Sequence, residues 1–400
     1  MVADSPWLTI IGIGEDGAAA LNHAARSALD QAQFIIGAPR HLTLLPLLNA
    51  QCVPWPAPFE DGVALLMARR GQPTVMLASG DPFWFGAGAS ITRRLAPGEW
   101  VVHPAPSTFS LAAARLGWAV QDTACHGLHA APLSRLRPDL APGRRAIILL
   151  RDGAAVGELA DFLAQTGFGA STMHIMEALG GPRERIRQAR AESYALCDVA
   201  HPVAVAIAVA GDGDVLPCAS GIGDHWFDHD GQITKRPARA LTLSALSPRA
   251  GETLWDIGCG SGSIAIEWLL SHPSTQGVAF EADPARAARA RGNAERLGAD
   301  RLTVVEGVAP AILQDRIRPD AIFIGGGISD ALMETVAGMA GGPVRLVANA
   351  VTLESESLLA RWHARLGGDL LRIELASAAP LGARRGWRSS YPLVQWSVTL

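Results

Sequence analysis

Leu254-Trp-Asp-Ile-Gly-Cys-Gly-Ser-Gly262 reads as an apolar strand that closes on an acid and a loop with glycine at alternate positions, and Ser263-Ile-Ala-Ile-Glu-Trp-Leu-Leu270 continues it as a helix. Gly258, Gly260 and Gly262 let the backbone turn tightly and approach a ligand with no Cβ in the way. The helix N-terminus behind them, with Cys259 and Ser261 between the glycines, offers unpaired N–H groups to that ligand. The next strand, Gly277-Val-Ala-Phe-Glu281, ends on an acid 19 residues after Gly262. A carboxylate there accepts from both hydroxyls of a ribose, as in doubly wound folds. Asp256 stands before the loop, placed to hold the amino end of a zwitterion. Two acids around a glycine loop, with no Lys-Ser/Thr phosphate clamp, fit S-adenosylmethionine better than ATP.

Working outward, Leu302–Gly307, Asp320–Gly327, Val344–Val351, Leu370–Ala376 and Val394–Leu400 read as strands, bringing the total to seven. Strand–helix alternation of this length predicts a doubly wound α/β sheet. Upstream, the polar, glycine-rich stretch 211–233 reads as an interdomain connection. His225 and His229 lie four apart in it, but no further ligand set accompanies them, and no metal site is expected. Thr234-Lys235 follows and carries the one lysine of the chain beside a hydroxyl, so Lys235 is a candidate substrate contact. Between the last two strands, Leu381-Gly-Ala-Arg384-Arg385-Gly-Trp387-Arg388-Ser-Ser390 offers three guanidiniums and a tryptophan. Arginine binds carboxylate bidentately, so Arg384, Arg385 and Arg388 are a candidate substrate clamp, against the plainer reading of a solvated hairpin tip.

The first half also opens on a strand and a glycine turn, Trp7-Leu-Thr-Ile-Ile-Gly12-Ile-Gly14-Glu-Asp-Gly17. The second strand, Gln33-Phe-Ile-Ile-Gly37, ends on glycine where a ribose-binding acid belongs, which argues against a dinucleotide site. Pro73–Ala78 runs into Ser79-Gly80-Asp81-Pro82-Phe83-Trp84-Phe85-Gly86, and Trp100–His103 runs into Pro104-Ala-Pro-Ser107-Thr108. Three strand-end loops thus converge on one edge of a parallel sheet.

Composition bounds the rest. Four hundred residues suggest two or three domains with proper cores. A net charge of −4 with no basic stripe gives no case for nucleic acid. Five scattered cysteines without a Cys-x-x-Cys pair fit reduced thiols and a cytoplasmic location. No stretch is long and apolar enough to span a bilayer, and no membrane association is expected.

Gly12-x-Gly14, Ser79-Gly-Asp-Pro82 with Phe85-Gly86, Pro104-x-x-Ser107-Thr108, Ala114-Arg-Leu-Gly117 and Glu177-Ala-Leu-Gly180 follow one another as in the tetrapyrrole (uroporphyrin-III/precorrin) methylases, which residues 7–210 resemble. The resemblance implies two α/β subdomains, about 1–120 and 121–210, with S-adenosylmethionine in the cleft between them. It places cofactor contacts at Gly12, Gly14, Gly80, Asp81, Pro82, Phe85, Ser107 and Thr108. Glu15 stands where that family usually carries proline, and Ala131 where arginine is common; His129 can still line the cleft.

Thr234-Lys235, Leu254-Trp-Asp-Ile-Gly258, Gly262-Ser-Ile-Ala-Ile-Glu267, Ile322-Phe-Ile-Gly-Gly-Gly327 and Asn349-Ala-Val-Thr-Leu-Glu354 resemble the decarboxylating precorrin methyltransferases over about 224–400. That resemblance implies a Rossmann-like, seven-stranded class I methyltransferase. It adds Thr234 to the cofactor contacts. The family's Gly-Asp-Ala-Pro is here Gly307-Val308-Ala309-Pro310, so adenine contacts fall to the backbone around Val308 and Ala309.

The expected organisation is a methylase domain over 1–210, a linker over 211–233 and a class I domain over 234–400, with one S-adenosylmethionine site in each module. The fusion implies methylation of a reduced precorrin-6 at C5 and C15 with loss of CO2 from the ring C acetate, giving a precorrin-8 in cobalamin biosynthesis. By resemblance, C5 falls to the N-terminal module and C15 with decarboxylation to the C-terminal one. The same reaction on a cobalt-precorrin, and a binding protein with one lapsed module, are the alternatives. A homo-oligomer is expected. No catalytic acid or base is named, because a sulfonium methyl is already activated and the protein mainly aligns the attack.

Overall fold

The computed structural model describes residues 6–314, 316–339 and 341–400. The chain forms two units: one from the residues up to Ala131 together with Asp139–Asp214, the other from Pro132–Pro138 and Val215–Leu400.

In the first unit, β1 (Leu8–Ile13), β2 (Phe34–Gly37), β3 (Gln51–Pro54), β4 (Thr74–Ser79) and β5 (Trp100–His103) form a parallel sheet in the order β3-β2-β4-β1-β5. β1, β2 and β4 are continuous apolar runs because both of their faces are covered. Leu8, Ile10, Phe34, Ile36 and Met76 enter one core, and Ile11, Ile13, Ile35, Val75 and Leu77 the other, at the two-residue period of a strand. A second sheet holds β6 (Ala124–Gly127), β7 (Arg145–Leu150), β8 (Thr172–Glu177), β9 (Arg185–Arg190) and β10 (Val203–Ala208), in the order β6-β7-β10-β8-β9. Only its β6–β7 pairing is parallel. β9 is an arginine-rich edge with no apolar run, and its Arg185 and Arg187 bond the buried Glu177 of β8.

The second unit holds β11 (Thr253–Ile257), β12 (Gln276–Glu281), β13 (Leu302–Glu306), β14 (Ala321–Ile324), β15 (Arg345–Ala350), β16 (Asp369–Ile373), a separate hairpin of β17 (Ala376–Leu381) and β18 (Arg384–Ser389), and β19 (Leu393–Thr399). The main sheet runs β13-β12-β11-β14-β15-β19-β16, with β19 antiparallel to both neighbours. The strand order reverses between β11 and β14, the switch point at which such sheets bind ligands beyond their carboxyl ends.

The stretch read as a connection, 211–233, is not a free linker over its length. Leu216, Ile222 and Phe227 are buried in the second unit's core. The Glu267 carboxylate accepts from the N–H groups of Gly221 at 2.6 Å and Ile222 at 3.1 Å. Arg239, with no solvent exposure, donates its Nε to the same carboxylate at 2.5 Å, reaches Asp224 at 3.0 Å and caps the carbonyls of Ile222 and Thr234. Three apolar side chains and a buried ion pair order a stretch whose average composition is polar.

Candidate active sites

In the first unit, a cleft of about 550 Å³ opens at the carboxyl edge of the parallel sheet. Gly14, Gly80, Asp81, Phe85, Ser107 and Thr108 line it, as does His129. Gly12 lies beneath this surface, where a Cβ would sit 1.9 Å from the Gly80 carbonyl oxygen. Pro82 lies behind it against Gly86 and Gly88. Ser107 is buried and caps the helix Thr108–Leu116 by accepting from the Ser110 N–H at 3.1 Å. Asp81 turns its own loop by accepting from the Phe83 N–H at 2.9 Å.

The cleft also holds residues that no motif marked: Arg40 and His41 after β2, Arg151 after β7, and His201. Glu15, the departure from the family pattern, has two partners there, Arg40 at 2.5 Å and Arg183 at 3.1 Å. Gly181 permits this approach, since a Cβ on it would fall 2.5 Å from the Glu15 Cβ. His41 is buried beside Ser79, and desolvation together with the Arg40 charge lowers its pKa to about 3, so it is held neutral.

In the second unit the glycine loop is as the spacing demands. Gly258, Gly260 and Gly262 have φ of 71°, 56° and 77°, a region that glycine occupies without strain. A Cβ on Gly258 would lie 2.8 Å from the Gly326 nitrogen, so the loop after β11 abuts the triple glycine after β14, across the switch point. Glu281, at the end of β12, accepts from the Gly260 N–H at 2.8 Å and the Asp283 N–H at 3.0 Å. It therefore braces the loop with one lone pair on each oxygen and keeps further acceptor capacity. The Asn293 amide donates to the Ser261 carbonyl at 2.9 Å. The Gln232 carbonyl lies 3.9 Å from where a Gly260 Cβ would sit, which brings the segment leading to Thr234 and Lys235 alongside the loop. Lys235 is exposed at the start of the helix Arg236–Leu246. Val308 is exposed beyond β13 and Ala309 is half-buried. Burial drives the Cys259 thiol far above its ordinary pKa, which removes it as a nucleophile.

Asp256 is fully buried; its Oδ2 accepts from the Ala265 N–H at 3.1 Å and its Oδ1 has no partner among the described residues. Desolvation, with the Glu281 charge adding to it, raises its pKa to about 7. An orphaned buried carboxylate oxygen beside a glycine cradle and a second acid suits the ammonium and ribose of S-adenosylmethionine. The folded protein holds a proton here that an unfolded carboxyl, with a pKa near ~3.9, has lost by neutral pH. Stability from this group is therefore full below about pH 4 and declines as pH rises towards 7. A cation beside Asp256 favours the charged form, so cofactor binding at about pH 6.5 is expected to release up to roughly three-quarters of a proton. Calorimetry in buffers of differing ionisation enthalpy reads this, and Asp256→Asn should abolish the release. A buffer-independent enthalpy in the wild type would count against the assignment.

The three arginines proposed as one clamp do not share a face. Arg384 and Arg388 lie on one side of β18, with Arg385 and the exposed Trp387 on the other. Among the described residues no group of three or more His, Cys, Asp and Glu side chains is arranged to hold a metal ion, and no helix is long and apolar enough to cross a membrane.

Two α/β units, each with a glycine-lined strand-end site, define a double-module methyltransferase. Residues 7–195 match the tetrapyrrole (corrin/porphyrin) methylases, and residues 225–400 match the precorrin methyltransferase domain. A Sinorhizobium protein named precorrin-6Y C(5,15)-methyltransferase [decarboxylating] is 50% identical over 99% of this chain and 97% of its own length. A Mycobacterium tuberculosis (strain ATCC 25618 / H37Rv) protein of the same name is 40% identical over 98% of this chain and 99% of its own length. The crystal structure of the C-terminal domain of the Rhodobacter capsulatus precorrin-6Y C5,15-methyltransferase is 49% identical, covering 46% of this chain and all of that one, with a TM-score of 0.45. The chain belongs to the family of decarboxylating precorrin-6Y C(5,15)-methyltransferases.

Proposed function

We propose that this chain methylates precorrin-6Y at C5 and C15 and removes the ring C acetate carboxyl as CO2, giving precorrin-8 in cobalamin biosynthesis. The N-terminal unit carries the C5 transfer, and the C-terminal unit the C15 transfer with decarboxylation. The observation that supports this reading is identity running through both units, 50% over 99% of the chain, to a relative of that name. S-adenosylmethionine, when bound, supplies a methyl group already activated for in-line attack. The protein's share is alignment: Asp256 and Glu281 hold the ammonium and ribose, and the glycine loop admits the ligand backbone-close. In the first unit the loops at Gly14, Gly80–Asp81 and Ser107–Thr108 play that part. The macrocycle carries the carbon nucleophile and the electron sink for CO2 loss, so the chain must hold a multiply anionic ring still. Lys235 and one face of the β17–β18 hairpin serve the C-terminal site. Arg384 and Arg388, about 13 Å apart along the strand, grip separate carboxylates, or Arg385 grips one beside Trp387.

A second reading, the same reaction on a cobalt-loaded ring, is favoured by a Salmonella typhimurium relative named cobalt-precorrin-6B C(15)-methyltransferase (decarboxylating), 31% identical over 166 residues. Parallel assays with metal-free and cobalt-loaded substrate separate the two. Calorimetry on the intact chain is expected to count two S-adenosylmethionine molecules per chain. One per chain would overturn the two-site reading and leave one unit without methyl donor.

A further inference from the structure

Three neighbouring strands of the first unit end on three residues that meet in the cleft: Arg40 after β2, Ser79 closing β4, and Glu15 after β1. The Arg40 guanidinium spans all three. Its Nη1 donates to Glu15 and its Nη2 to the Ser79 hydroxyl, each at 2.5 Å. Arg183 reaches the other Glu15 oxygen at 3.1 Å from the loop after β8. One carboxylate thus orients two guanidiniums, and the trio keeps a net positive charge. The nearby cleft cation Arg151 is already matched by Asp152 at 3.3 Å and by Glu158. Ser79 accepts from Arg40 and lies 3.0 Å from Nε2 of the neutral His41, so the group is braced on both sides. A guanidinium has five N–H donors, and two of those on Arg40 are used. The rest have no partner among the described residues, while burial makes the free cation costly. A partly desolvated, pre-aimed guanidinium with spare donors suits a bidentate carboxylate.

We infer that Arg40, held in place by Glu15 and Ser79 and reinforced by Arg183, anchors a carboxylate of the macrocycle in the N-terminal cleft. The inference rests on the reading of that cleft as the C5 methylation site. Glu15 is then a positioning residue that acts through Arg40. The methionyl carboxylate of S-adenosylmethionine is the other source of the same chemistry, and the two are separable by measurement.

The test uses the full chain, precorrin-6Y and 13C-methyl S-adenosylmethionine, with transfer to C5 and C15 read separately. Arg40→Gln is expected to raise KM for the macrocycle in C5 transfer about tenfold or more, with cofactor affinity unchanged. Arg40→Lys, which keeps the charge but loses the fork, should recover part of it. Glu15→Gln should raise the same KM less, and with a steeper salt dependence. Arg183→Gln, at a more exposed side chain, is the companion variant if Arg40→Gln does not fold, and should raise that KM several-fold. A wild-type KM in the folded Arg40→Gln chain, or in Arg183→Gln where that variant stands in for it, overturns the anchor while C5 transfer itself upholds the site. Loss of cofactor affinity in step with KM assigns the carboxylate to S-adenosylmethionine and also overturns it. Absence of C5 transfer in the wild type would instead overturn the reading of the cleft.

Discussion

Gly12→Ala is expected to silence methyl transfer in the N-terminal cleft while leaving transfer to C15 intact. The added methyl would sit 1.9 Å from the Gly80 carbonyl oxygen and 2.6 Å from the Ala105 nitrogen, and both are backbone. These two groups are themselves hydrogen-bonded at 3.2 Å, and Gly80 N–H is tied to the Ile13 carbonyl at 3.1 Å. The loops after β1, β4 and β5 are therefore stacked main chain on main chain at this point, with no side chain free to give way. Overpacking of this kind costs about 1–3 kcal/mol in stability. The larger effect is on geometry, since a misplacement of about 1 Å costs roughly a hundredfold in rate. Cofactor stoichiometry should fall by one per chain. Undiminished C5 transfer, or equal loss at C5 and C15, would refute the assignment of these loops to one site.

Glu267→Ala is expected to destabilise the second unit by about 3–5 kcal/mol, the usual cost of stripping one partner from a buried ion pair. The alanine would leave the Arg239 guanidinium, which has no exposure, with the partly exposed Asp224 as its remaining carboxylate, and would orphan the N–H groups of Gly221 and Ile222. The pair joins the helices Arg236–Leu246 and Ser263–Ser271 to the chain that passes the glycine loop, so cofactor affinity in this unit should fall too. Urea denaturation followed by tryptophan fluorescence measures the first effect. A loss below about 1 kcal/mol would mean that the pair adds little beyond what water supplies. Replacing both residues by apolar ones of similar volume should recover much of the stability.

The class I half was legible almost strand for strand. Its strands are apolar runs bounded by glycine or acid, and Asp256, the glycine loop and Glu281 are local in sequence, within a single β-α-β unit. In the first unit the apolar strands β1, β2, β4 and β5 were legible, whereas β3, an exposed edge of the same parallel sheet, was not. β9 is not legible because an exposed edge rich in arginine has no apolar period, whereas the exposed hairpin β17–β18 fits the plainer reading of a solvated hairpin tip at 381–390. The Glu15–Arg40–Ser79 group was invisible for another reason. Its members come from β1, β2 and β4, which neighbour one another only in the folded order β2-β4-β1. Glu15 and Arg183 lie 168 residues apart. The arginine triplet shows the reverse error: residues adjacent in sequence are split by the pleat onto opposite faces.

β19 sits between β15 and β16 and carries the fully buried Trp396. During synthesis, then, the second unit cannot close its sheet until the ribosome has delivered residues up to Thr399, whereas the last strand of the first unit is complete at Ala208. At about 5–20 residues per second, the nascent chain spends roughly ten to forty seconds with one unit able to fold and the other unfinished. For part of that time β15 presents an open edge on a hydrophobic sheet, the kind of edge on which chains aggregate. Slow translation or a shortage of chaperones should therefore cost the cell the second unit before the first, and nascent chains stalled short of residue 393 should carry a folded N-terminal cleft beside an incomplete C-terminal sheet.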